Sequence, residues 1–107
     1  MDEYLTRQAL LMLRQIGEYR ANAFTLNSLI QRLEGLLDAV DRELWRDAIF
    51  PLIFSLEQIN ASVLDEQRQL TSNDNALING LLQDLEKIIT NLVALEGKRR
   101  SYGFAQG

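Results

Sequence analysis

The segment from Asp41 to Arg68 constrains the fold more than any other, because it holds the only tryptophan and the only proline of the chain. Large apolar residues recur along it at the spacing of one helix face, which predicts a helix packed against a core. Pro51 removes one backbone hydrogen bond, yet the apolar stripe keeps its phase beyond it. We therefore predict a central helix that is kinked at Pro51 rather than two separate helices. The stripe comprises Trp45, Ile49, Leu52, Leu56, Ile59 and Val63.

Three other segments have apolar residues at the same helical spacing, and leucine is more common than valine or threonine, which favours helices over sheet. The first helix is predicted to run from Glu3 to about Ala23. The second is predicted to begin after Thr25, its expected N-cap, and to end near residues 38–41.

The remaining boundaries follow from capping residues. Asp41 is the expected N-cap of the central helix, and Thr71 or Ser72 is the expected N-cap of the last helix. Gly97 is expected to end that helix. Four helices with short connections predict an all-α fold, an antiparallel four-helix bundle with a proline-kinked central helix. A three-helix bundle with a loosely attached first helix is the alternative.

The length of 107 residues fits a single domain. Residues 1–97 carry the helical pattern and are predicted to form the bundle. Residues 98–107 begin with Lys98, Arg99 and Arg100 and have no apolar periodicity, so we expect a basic, flexible C-terminal tail. Its three cations suit either a solvated helix end or a contact with phosphate or an acidic surface.

Enzymatic and metal chemistry find little support in the composition. The chain has no cysteine and no histidine, so the usual ligands of zinc and the usual base of a nucleophilic pair are missing. We therefore predict no catalytic residues, no metal site and no cofactor. The apolar run after the acidic N-terminus is too short for a signal peptide or a membrane span, which favours a cytoplasmic protein without membrane contact.

Negative charge is concentrated in the middle of the chain. The formal net charge is −4, but residues 34–66 hold eight acidic residues and only two arginines. Such a segment repels the phosphates of nucleic acids and attracts a basic partner. We therefore expect a protein partner with a positive surface and no direct binding of nucleic acid.

Two phenylalanines give the central helix a second apolar face, since Phe50 and Phe54 point away from the main stripe. Either a fourth helix or the tail covers them, or they are the apolar centre of an interface within an acidic rim. Glu57 lies at the margin of the stripe, where it is either a boundary residue bonded to a neighbouring helix or part of that interface. The candidate partner-binding residues are Asp38, Asp41, Asp47, Phe50, Phe54, Glu57, Gln58, Asp65 and Glu66.

Between residues 25 and 92, the segments TLNSLIQRLEGLLDAVDRELWRD, LEQINASVLD and TSNDNALINGLLQDLEKII follow one another. In this order they resemble small helical immunity proteins of bacterial contact-dependent growth inhibition and related polymorphic toxin systems. The resemblance implies a cytoplasmic protein that binds the C-terminal domain of one cognate toxin, often a basic nuclease, and blocks it. The alternative is a helical adaptor or structural protein whose spare apolar face forms a homodimer.

Overall fold

The computed structural model describes the backbone of residues 3–106 and the side chains of residues 3–97. Within this range the chain forms four α-helices and no strand, namely α1 (Glu3–Arg20), α2 (Leu26–Ala39), α3 (Glu43–Asp65) and α4 (Ser72–Gln106). Each helix packs on the next, and α1 also packs on α4, which closes the ring. The predicted all-α four-helix bundle is therefore confirmed.

Helix α1 is an integral part of the core. Met12 and Ile16 have no exposed surface, and they belong to the same cluster as Leu33, Trp45 and Leu85 from the other three helices. Deleting such contacts would leave cavities that typically cost about 2–5 kcal/mol each. The alternative of three helices with a loosely attached first helix is therefore wrong.

Helix α3 runs without a break through Pro51, so the prediction of one helix rather than two is confirmed. Its most deeply buried residues are Trp45, Ile49, Ile53 and Leu56. The predicted stripe is therefore correct at three of these positions but omitted Ile53. Leu52, Ile59 and Val63 are only partly buried, because α2 and α4 together cover an arc of α3 that is rotated toward Ile53.

Two helices begin where the sequence predicted, and one does not. Thr25 caps α2 by accepting a hydrogen bond from the Ser28 amide at 3.2 Å. At α4 the Thr71 hydroxyl accepts from the Asp74 amide, while the Asp74 carboxylate accepts from the Thr71 amide, which is a reciprocal capping box. Asp41 is not the N-cap of α3. That position belongs to Arg42, which makes no side-chain capping bond.

The displaced start of α3 has a local cause. The Arg42 amide donates to the Val40 carbonyl at 3.0 Å, which tightens the α2–α3 connection so that the first i to i+4 bond of the helix runs from Arg46 to Arg42. Asp41 is thereby left in the connection, with its side chain exposed.

Left-handed residues, rather than glycines, mark the ends of α1 and α3. Asn22 and Gln67 have φ angles of 65° and 52°, and each is followed by an amide that bonds back five residues, from Ala23 to Glu18 and from Arg68 to Val63. The expected stop at Gly97 is wrong, since α4 continues through it to Gln106 and no described glycine has a positive φ. The side chains of the predicted basic tail lie outside the described residues.

Candidate protein-binding surface

Phe50 and Phe54 lie on the side of α3 that faces away from the core. Their side chains are 45% and 48% exposed, and no other helix covers them within the described structure. The two rings stack on each other, with centroids 6.4 Å apart and an interplanar angle of 29°. Because the pair is spaced by one helical turn and held on a rigid helix, it presents one continuous apolar patch.

On this side of α3, carboxylates lie both before and after the phenylalanines along the helix. At 100° per residue, the exposed residues that lie within about 40° of Phe54 form a strip that we call the acidic-aromatic face. Among the described side chains, its three carboxylates make no ion pair and accept no hydrogen bond. Their charge is therefore available to a partner. The face comprises Glu43, Asp47, Phe50, Phe54, Gln58, Ala61 and Asp65.

Asp38 flanks this face from α2, but its charge is partly balanced. The Arg46 guanidinium donates to its carboxylate at 3.2 Å, across the seam between α2 and α3. Both side chains are well exposed, so the pair contributes little to stability. Arg46 also lines a shallow pocket with Asp47, Phe50 and Pro51, so this cation lies between Asp38 and the phenylalanines.

Glu57 belongs to the seam between α2 and α3 rather than to the open face. It is partly buried and shares a hydrogen bond with Glu34 of α2, which raises the pKa of Glu34 to about 7. Burial of Glu34 and the negative charges of Glu57 and Asp38 raise this pKa further. The interpretation of Glu57 as a boundary residue bonded to a neighbouring helix therefore fits the geometry.

Asp41 and Glu66 lie at opposite ends of α3. Asp41 is exposed in the α2–α3 connection, next to the end of the acidic-aromatic face that carries Glu43. Glu66 accepts hydrogen bonds from Arg68 and Ser62, so its negative charge is largely balanced within the chain. Arg68 also bonds Asp74, and this contact, followed by the Thr71 hydrogen bonds, lowers the pKa of Asp74 to about 2.

The structure therefore gathers Asp47, Phe50, Phe54, Gln58 and Asp65 on one face, while Glu57 and Glu66 point into contacts with neighbouring residues. Glu43 also lies on this face and Glu34 pairs with Glu57, and neither is among the candidate residues predicted from the sequence. The positions of Glu43, Asp47 and Phe54 along one helix would have identified the first. The partner of Glu34 depends on how α2 and α3 are aligned, which no local pattern encodes.

A second surface feature is a groove between α3 and α4 that the sequence did not reveal. It has a volume of about 590 Å³ and is open to solvent. Ile59, Leu77 and Leu81 provide its apolar lining, and Gly80 lies on the wall contributed by α4. Gln58 lines this groove and also lies on the acidic-aromatic face, so the two features adjoin each other.

No known protein family, curated protein or solved structure matches the chain. Within residues 3–97 there is no group of three or more acidic, cysteine or histidine side chains arranged to hold a metal ion. None of the helices in the described part of the chain is long and apolar enough to cross a membrane.

Proposed function

We propose that this protein is an immunity-type inhibitor that binds a basic toxin domain through the acidic-aromatic face of α3. The observation that carries the proposal is the stacked, half-exposed pair Phe50 and Phe54 between carboxylates that have no partner within the described chain. The order of sequence segments that resembles immunity proteins supports it, and implies action in the cytoplasm without catalysis by the protein itself.

The composition of the face matches that of an interface with an apolar centre. Aromatic side chains that lose their solvent on binding provide much of the affinity of such contacts, while surrounding charges guide the approach of the partner. Phe50 and Phe54 would be the aromatic side chains that lose their solvent on binding. Asp47 lies one turn before them and Gln58 one turn after them along α3. Because α3 is anchored by its opposite face, the rings need little reorganisation before binding.

The mechanism follows from the charge of the expected partner. A nuclease domain binds the phosphates of RNA or DNA with lysine and arginine side chains. Glu43, Asp47 and Asp65 would contact those cations in place of the phosphates, and the bound inhibitor would exclude the substrate. Inhibition would then be competitive with nucleic acid and would weaken as salt screens the charges.

Self-association through the same face is the alternative, because exposed aromatic pairs also suit a homodimer. A two-fold dimer would, however, place two copies of the same surface against each other. The acidic-aromatic face contains three carboxylates, and the cation beside it, Arg46, is paired with Asp38, so the two rims would carry net negative charge and repel. This observation favours a basic partner over a second copy of the chain.

The test is binding of the toxin domain encoded by the gene upstream, prepared as a catalytically inactive variant. We expect a tight 1:1 complex, and we expect Phe54→Ala to weaken it by about 2 kcal/mol, which is roughly 30-fold in Kd. Leu10→Ala is the matched control, since Leu10 is a large apolar residue that is 60% exposed on a different helix. Isothermal titration calorimetry gives Kd and stoichiometry for both variants.

The same titration at low and high salt separates the two hypotheses. A complex that weakens with salt and depends on Phe54 but not on Leu10 supports the inhibitor. Absence of binding, together with a salt-insensitive dimer in sedimentation that Phe54→Ala dissociates, would reject the inhibitor in favour of self-association.

A further inference from the structure

We infer that the groove between α3 and α4 is a docking site for a basic amphipathic helix, distinct from the acidic-aromatic face. Its walls are the exposed edges of two adjacent helices, so it runs along the bundle. The lining residues extend from Ser55 to Ser62 on α3 and from Asp74 to Asp84 on α4. At a rise of 1.5 Å per residue, these spans correspond to about 10–15 Å, or two to three helical turns.

The lining chemistry suits the apolar face of a helix. Ile59, Leu77 and Leu81 form an apolar strip. Leu77 is 54% exposed, so the bundle leaves about half of its surface in contact with water. Three of the other lining side chains are short, namely Ser55, Ser62 and Ala76. At Gly80, an added Cβ would meet no atom within 4 Å, so a partner backbone has room to approach. This is the arrangement in which a helix inserts residues spaced i, i+4 and i+7 into a groove.

Charge selects a basic helix over an acidic one. Asp84 lines the groove and makes no ion pair within the described chain, so a lysine or arginine on the incoming helix would find it available. The one cation of the lining, Arg68, is already bonded to Asp74 and Glu66 and adds no free positive charge.

The probe is a synthetic amphipathic peptide of about 18 residues, long enough to form a helix in solution, with leucines on one face and lysines beside them. A matched peptide with glutamate in place of lysine tests the charge requirement. Titration into ¹⁵N-labelled protein, followed by chemical shifts, reports both affinity and location. We expect the lysine peptide to shift residues of the groove and the glutamate peptide to bind far more weakly.

Two glycine variants make the test specific. Gly80→Leu fills the groove, whereas Gly35→Leu makes the same change on α2, where an added Cβ also meets nothing within 4 Å. Both replacements raise helix propensity, so both variants should fold. We expect Gly80→Leu to weaken binding of the lysine peptide about tenfold or more, as for loss of a central contact, and Gly35→Leu to leave it unchanged.

The proposal is overturned if the lysine peptide does not saturate, if both peptides bind equally, or if Gly80→Leu has no effect. It is also overturned if the shifts centre on Phe50 and Phe54, or if sedimentation shows a dimer that Gly80→Leu dissociates, because a second copy would then fill the groove. None of these outcomes depends on the toxin domain, so they leave the proposed inhibitor function to its own experiment.

Discussion

The two faces of α3 both carry large apolar residues, but only one of these faces is covered by other helices. On the inner face, Ile49, Ile53 and Leu56 are at most 1% exposed and form part of the core. On the outer face, Phe50 and Phe54 are about half exposed and stack on each other. Both sets are large and apolar, so hydrophobicity alone does not tell them apart. What separates them is whether α2 and α4 cover that side of the helix.

This difference has an energetic meaning. A residue that is buried in the core stabilises the folded state in proportion to the apolar area removed from water. A half-exposed ring gains only part of that stabilisation on folding, and the rest becomes available when a partner covers it. Under the proposed function, the apolar residues of the outer face are therefore expected to contribute more to binding than to folding.

The largest expected effect concerns the stability of the two faces. Ile53→Ala leaves a cavity in the core and should lower the free energy of unfolding by about 2–5 kcal/mol. Phe54→Ala, at the next position in the chain, should lower it by only about 1 kcal/mol, since about half of the ring is already exposed in the folded protein. Urea unfolding followed by circular dichroism measures both. Similar losses for the two variants would show that Phe54 belongs to the core.

The next expected effect concerns the charges of the outer face. Asp47→Lys should weaken the complex with a basic toxin domain about tenfold, mainly by slowing association, because it reverses a charge beside the apolar centre. Glu18→Lys makes the same reversal on α1, beside Arg14, and is the matched control. Stopped-flow measurements at low salt give the association rates. Equal slowing by both variants would mean that total charge, rather than the acidic-aromatic face, guides the partner.

Sequence patterns predicted most of the fold because they report on local requirements. The apolar spacing in α2 and the caps at Thr25 and Thr71 each depend on neighbouring residues, and each is correct. The expected end of α4 at Gly97 failed because glycine permits a helix end without requiring one. Asn22 and Gln67 end their helices instead, through left-handed conformations that the sequence signals less strongly.

The candidate surface could be predicted only in part, for a different reason. Helical spacing alone places Asp47, Phe50 and Phe54 together, but it does not say whether another helix covers them. Their exposure depends on the arc of α3 that α2 and α4 occupy, as does the inward position of Ile53. The two interpretations of Glu57 could not be separated from the sequence either, because the pairing of Glu57 with Glu34 depends on how α2 and α3 are aligned.

The smallest expected effect lies at the boundary between the two faces, where Glu57 meets Glu34. The Glu34 pKa of about 7 exceeds its ordinary value of 4.5, so the folded state binds a proton more tightly than the unfolded chain does. This contribution to stability is complete below about pH 4.5 and is lost as the pH rises through 7. The melting temperature of the native protein should therefore fall modestly between pH 5 and about pH 8.

Glu34→Gln isolates this contribution, because the amide can still donate a hydrogen bond to Glu57 but carries no charge at any pH. The variant should match the native protein at pH 5 and melt at a higher temperature at about pH 8, where Glu34 is ionised beside Glu57 and Asp38. Glu18→Gln, on the exposed side of α1, corrects for the change in net charge. If the Glu34→Gln and native melting curves stayed parallel across this range, the two carboxyl groups would not share a proton, and Glu57 would remain available to the outer face of α3.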